Sequence, residues 1–250
     1  MTIKEYYRRA YKEMRGKPPK EKWEYFWEYF KWQFLIGLLV LAMLIQGVFT
    51  IINHKETAFS GVFISALYDA EAQGFLQDYN EYTGLDTTKR EALFYTNFLI
   101  RADNSKADSD NLYGIFAKIV SNEIDFIVGQ PEPFAMCAYH TSVLVGDLRD
   151  FMDEETLSRY ADRLYYIDGA IRKKLETALG DERPTLKDIP DPHKPELMED
   201  PIPVGIDISD SKMFNGRIYK ADAKTYISIV SNTKRPDKFM EFLDFLWSAK

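Results

Sequence analysis

From Phe34 to Ile52 the chain reads FLIGLLVLAMLIQGVFTII, nineteen residues with no charge and only Gln46 and Thr50 as polar interruptions. A helix of that length rises about 28 Å, close to the hydrocarbon thickness of a bilayer. The run is apolar around its whole circumference, whereas a helix on the surface of a soluble domain keeps a polar face. It therefore predicts one membrane-spanning helix. Residues 1–33 carry nine Lys/Arg against five Asp/Glu, while only Lys55 follows within the thirty residues after the run. By the positive-inside bias the N-terminus is expected in the cytoplasm of a cell membrane and residues 53–250 outside it. The run is longer than a signal-peptide core, its basic lead is long, and no clean small-x-small site follows, so an uncleaved anchor is expected. No cysteine stands where a lipoprotein anchor needs one.

The domains are thus expected as a cytoplasmic basic and aromatic juxtamembrane segment (1–33), a span (34–52) and an extracytoplasmic domain (53–250). An apolar share of 46% and an aromatic share of 15% are ample for a packed core and exclude global disorder. Residues 34–250 carry 23 Lys/Arg against 34 Asp/Glu, a surplus of eleven negative charges that phosphate backbones would repel; nucleic acid is excluded as a partner. The single cysteine, Cys137 in AMCAYH, permits no intramolecular disulfide and reads as a small buried hydrophobe. Just before the span, KWEYFWEYFKW (22–32) packs three tryptophans, two tyrosines and two phenylalanines into eleven positions. Such rings suit the headgroup layer, and a docking surface for a partner is the alternative.

Beyond the span the patterning predicts strand, helix, strand, helix, strand. Phe59–Ala66 is short and β-branched, and a helix capped by Asp69 and stopped by Gly84 carries Phe75, Leu76, Tyr79 and Tyr82. Glu91–Ile100 reads as a strand, Asp108 or Ser109 as the cap of a helix striped by Leu112, Ile115, Phe116, Ile119 and Val120, and Ile124–Val128 as a strand ended by Gly129. A short helix over Pro133–Tyr139, a capped helix over Asp153–Arg163, a strand at Leu164–Ile167 and a proline-rich surface excursion over 170–200 follow. PVGIDI (203–208) and YISIV (226–230) read as strands, and Pro236 opens a last helix with Phe239, Phe242, Leu243 and Leu246 inward. Helical crossovers join parallel strands, so the expected fold is α/β with a largely parallel sheet.

The succession DFIV, a helix, VGDLRDFMDEETLSRYADRLYYI, PIPVGIDIS and TYISIVSNTKRPDKFMEFLDFLW resembles the extracytoplasmic solute-binding proteins of bacterial ABC transporters, over roughly residues 57–248. It also resembles membrane-anchored Gram-positive proteins that join an aromatic juxtamembrane segment to such a domain. The resemblance implies a periplasmic-binding-protein-like fold. Residues 53–250 provide too little chain for two full lobes, so the second lobe is expected to be reduced or missing.

The catalytic inventory is sparse. His54, His140 and His193 are scattered without ligand-like spacing, and HExxH, paired cysteines, a phosphate-binding glycine loop and Gly-x-Ser-x-Gly are absent. The aspartates between Asp103 and Asp110 lack the glycine and the terminal glutamate of a calcium loop. Glu154–Glu155 and Asp181–Glu182 read as solvated charge. No enzyme activity, metal or cofactor is expected. On parallel sheets ligands sit beyond the carboxyl ends of strands, which nominates Tyr68, Asp69, Gln130, Glu132, Ser209, Asp210 and Asn232, with Ser231 beside the last. Cap and turn chemistry explains several of the same residues.

Three functions follow as expectations. The first is a tethered binding or sensing module for a small solute, a peptide or a neighbouring membrane protein. The second is a structural accessory subunit of a membrane complex, in contact through the aromatic segment and Gln46. The third, a tethered hydrolase, rests only on abundant carboxylates. A concave pocket at the strand ends would favour the first and a filled strand-end surface the second.

Overall fold

The computed structural model describes residues 3–53, 55–66, 69–101, 106–177, 188–214 and 216–248. The chain divides into two compact units, 1–54 and 55–250.

In the first unit α1 (Ile3–Met14) precedes α2 (Pro19–Ile52). The turn between them uses Gly16 at φ +96°, a backbone region that costs glycine little, and α2 opens on proline at its favoured position. The Tyr25 hydroxyl donates to Glu13 at 2.9 Å and the Lys17 ammonium lies 5.3 Å from the Tyr25 ring, which fastens α1 to α2. The helix continues unbroken from the aromatic segment into the apolar run. Its stretch Phe30–Thr50 has a mean hydropathy of 2.1, and beyond Phe30 and Lys31 its side chains are exposed, which is consistent with a membrane segment.

The second unit is built on one six-stranded sheet: β1 (Glu56–Phe63), β2 (Arg90–Tyr95), β3 (Phe126–Gly129), β4 (Leu164–Asp168), β5 (Pro201–Asp207) and β6 (Tyr226–Ile229), in the order β2-β1-β3-β6-β5-β4. Here the expectation of a largely parallel sheet is overturned. The pairs β1–β2 and β1–β3 are parallel, but β3–β6, β6–β5 and β5–β4 are antiparallel. The cause lies in the connections. Helices α3 (Asp69–Thr83) and α4 (Lys106–Val120) carry the chain back to the starting end before β2 and β3, as a crossover must. Between β5 and β6 there is no helix, so β6 enters from the end where β5 finished. After β4 the short α7 (Gly169–Thr177) does not cross the sheet. Residues 188–200 return along the edge, with Tyr166 N–H donating to Pro192 O at 2.9 Å and Gly169 N–H to Asp200 O at 2.7 Å. The expected surface excursion over 170–200 is thus part helix and part strand cover; residues 178–187 lie outside the described ones.

The helix signals translate locally. Gly84, at φ +63°, ends α3: its N–H bonds to Glu81 O at 3.3 Å and that of Leu85 to Asn80 O at 3.1 Å, the paired bonds of a Schellman turn. Asp108 does not cap α4, which starts two residues earlier. Its buried carboxylate instead receives the N–H of Arg101 at 2.9 Å. Val120, expected in the buried stripe of α4, is 53% exposed. The strand expected at Glu91–Ile100 ends at Tyr95, after which the irregular chain gives Phe98 O to the Ser65 N–H at 2.8 Å.

Both faces of the sheet are covered. Alternate residues Phe59, Phe63, Phe126 and Val128 face α3 and α8 (Pro236–Leu246), packing with Phe75, Tyr79, Phe242 and Phe245. Val62, Ile64 and Ile127 face the other way, with Leu112, Ile115, Ile119 and Cys137 from α4 and α5 (Pro131–His140). Gly61 permits the close aromatic layer, because a Cβ there would stand 2.0 Å from the Phe126 ring, itself stacked on Phe242 at 4.6 Å between centroids. Expected inward residues Phe239, Phe242, Leu243 and Leu246 of α8 are all fully buried.

Candidate functional site

The direction of β6 splits the nominated residues between two ends of the sheet. The carboxyl ends of β1, β3 and β5 share one end with the start of β6, since Gly129 pairs with Tyr226 and Asp207 with Tyr226. Asn232, following β6, therefore lies at the opposite end. Its side-chain amide donates to Ile119 O at 2.8 Å, tying the end of α4 to the chain after β6. Exposed Ser231 donates to Val143 O at 2.9 Å. Tyr68 and the side chain of Asp69 lie outside the described residues. Gln130 sits at the start of α5 without a capping bond, and Glu132 is exposed in the first turn of that helix.

The crevice expected beyond β1 and β3 is filled. The segment between β5 and β6 folds over this end and buries Met213, Phe214, Ile218 and Tyr219. The Tyr219 hydroxyl donates to Ile64 O at 2.7 Å and lies 3.1 Å from Val128 O, so it answers the backbone of both strands. Burial pushes the phenol well above its usual range, which keeps it a donor.

Ser209 and Asp210 do meet. With Asp162, Arg163, Asp207 and Lys224 they line an open concavity of about 350 Å³. The Arg163 guanidinium grips Asp210 through two bonds, at 2.5 and 2.7 Å, and holds that carboxyl below its ordinary value. Lys224 Nζ reaches Asp207 at 2.8 Å. Burial would raise the Asp207 carboxyl, but Lys224 and Ser209 outweigh it and the group is held low. Both aspartates are thus driven toward the ionised form. Ser209 is occupied in a turn: its N–H and hydroxyl both donate to Asp207, and its Oγ receives Thr225 N–H at 2.9 Å. Arg163 also lies 5.4 Å from the Trp247 ring, and Trp247 is 5.8 Å from Tyr160, so a second shallow concavity of about 380 Å³ adjoins the first. The arrangement offers fixed charges of both signs beside an aromatic floor.

Arg163, Asp207, Lys224 and Trp247 were not among the nominated residues. Arg163 precedes β4, and only antiparallel pairing of β4 with β5 lays it beside the residues that follow β5. That pairing is what the crossover rule obscured.

The opposite end holds the buried charges. Asp125, 1% exposed, accepts from Ser60 N–H at 2.8 Å, Thr233 Oγ1 at 2.6 Å and Arg235 Nε at 2.9 Å. Arg235 donates onward to Thr57 O at 2.7 Å. Asp168, after β4, receives the N–H groups of Ala170, Glu199 and Asp200. Burial opposes its ionisation, yet these donors hold the carboxyl below its ordinary value.

His193 bridges Leu164 O and the Tyr226 hydroxyl, each at 3.1 Å, in the segment covering β4. His140 stands edge-on to Tyr113 with 6.2 Å between centroids, and His54 lies outside the described residues. Asp153 caps the helix that begins at Glu154, accepting Thr156 N–H at 2.8 Å, which makes Glu154 and Glu155 first-turn residues; Asp181 and Glu182 lie outside the described residues. Among the described residues no group of three or more His, Cys, Asp or Glu is placed to hold a metal ion. Compared with protein-family models, with characterised proteins and with solved structures, the chain has no match.

Proposed function

We propose that this chain is an accessory subunit of a membrane complex, anchored by α2 with its N-terminus in the cytoplasm, and that residues 55–250 act outside through surface contacts. The carrying observation is Tyr219. Where a parallel α/β domain would receive a small molecule, this chain seats its own side chain against Ile64 O and Val128 O. The basic flank before the apolar run supports the orientation. Gln46 supports a helical partner, since an amide within hydrocarbon gains from a hydrogen bond across a helix interface.

The concavity at Asp207, Ser209 and Asp210 favours a second reading, a sensing module akin to solute-binding proteins that takes a small polar solute at the surface. Thermal unfolding of the detergent-solubilised chain against amino acids, sugars and short peptides separates the two. A ligand selective for the folded state raises the melting temperature. The accessory reading expects no solute to do so, and expects a photo-crosslinker at position 46 to capture one discrete membrane protein. A solute-dependent rise that Asp210→Ala abolishes would replace it with the sensing reading.

A further inference from the structure

We infer that α1 and the aromatic start of α2 form a binding surface for anionic phospholipid headgroups in the leaflet on the N-terminal side of the span. This rests on α2 being a membrane span, and it adds a ligand that the accessory role does not require. Arg8, Arg9, Lys12 and Arg15 are exposed, and none takes part in an ion pair among the described residues. Tyr11, 67% exposed, stands one turn beyond Arg8 on the same face of α1, and Arg15 follows the last helical residue, Met14. The acid Glu13 is engaged by the Tyr25 hydroxyl, and Lys17 lies over the same ring. In the turns of α2 before the apolar run, Trp23, Trp27 and Trp32 are all exposed, and the first two stack at 6.1 Å.

Two properties select lipid as the occupant. The first is charge: residues 1–33 carry nine cations against five anions, whereas residues 34–250 carry an excess of anions, and cationic juxtamembrane segments are drawn to anionic leaflets. The second is continuity. The aromatic turns belong to the same unbroken helix as the Phe30–Thr50 stretch, so a span held in hydrocarbon places these rings in the headgroup layer, where amphipathic rings partition. A protein partner would have to displace lipid already present.

The test uses the full chain in vesicles of phosphatidylcholine alone or mixed with phosphatidylglycerol, reading amide hydrogen exchange over residues 3–16. Exchange is expected to slow about tenfold with phosphatidylglycerol, as several Lys/Arg near an anionic surface predict. The protection should vanish at about 1 M salt, where screening shortens to about 3 Å. The triple variant Arg8→Glu, Arg9→Glu, Lys12→Glu should exchange equally in both vesicles, at the rate the unaltered chain shows in phosphatidylcholine alone, which reports that α1 is still folded. Equal rates for the unaltered chain in the two vesicles would overturn the inference, as would retention of the effect by the charge-reversed variant. Protection that arises only on adding native membrane proteins would assign the surface to a protein instead. A chain that does not float with either vesicle would contradict the membrane reading itself.

Discussion

The two ends of the sheet handle charge in opposite ways. At the end shared by the starts of β1 and β3, Asp125 and Asp168 are buried and their oxygens are met by backbone N–H groups, Thr233 and Arg235. At the other end the crevice is closed by an uncharged phenol, and the carboxylates Asp207 and Asp210 form pairs beside open solvent. Buried charge that converges on backbone holds a fold together, and removing one partner strands the other. Paired charge at a surface contributes little to stability and remains available to another molecule. The difference separates the end that fastens the domain from the end that could meet a partner.

The largest expected break in that contrast is Asp125→Ala. It leaves the Arg235 guanidinium poorly paired and the Ser60 N–H unmet, which should cost about 3–5 kcal/mol in urea unfolding. Asp168→Asn comes next, at about 1.5–3 kcal/mol near neutral pH, because a charged acceptor of backbone N–H groups becomes neutral. This site also predicts a pH dependence. The folded carboxyl sits below its ordinary value, so its stabilisation is complete above the unfolded value of about 3.9 and is lost as pH falls toward the lowered native value. Urea midpoints recorded from neutral pH down through that window should therefore fall more steeply for the unaltered chain than for the variant. Tyr219→Phe removes the donor to Ile64 O and should cost about 1–3 kcal/mol without admitting a ligand, since the ring still fills the crevice. A double-mutant cycle on Arg163 and Asp210 should give the smallest coupling, about 0.2–1 kcal/mol, despite the two-bond grip. A coupling as large as the loss at Asp125 would erase the distinction between the ends.

The parallel half of the sheet was legible in the residues because the crossover helices carry apolar stripes and α3 its glycine stop, although Asp108, expected to cap α4, serves another backbone group. Asp69 opens α3, Gly84 closes it, and the apolar stripe of α4 points inward at Leu112, Ile115 and Ile119. The antiparallel half was not legible. PVGIDI and YISIV announce strands, but strand direction depends on where the connecting chain re-enters, and residues 208–225 carry no periodic signal for that. The same gap misplaced Asn232, whose nomination assumed that β6 ends beside β3 and β5. Ser209 and Asp210 were found because they follow a strand that does run parallel to β1. Tyr219 was missed because one tyrosine in an irregular connection looks like any other until the strands whose carbonyls it meets are positioned.

The account depends most on α2 crossing a bilayer. Washing membranes that carry the intact chain with alkaline carbonate tests this directly, since that treatment strips peripheral proteins and leaves spanning helices in place. The chain is predicted to stay with the pelleted membranes in full. Its release into the supernatant would contradict the anchor, and with it the lipid surface at α1 and the accessory role.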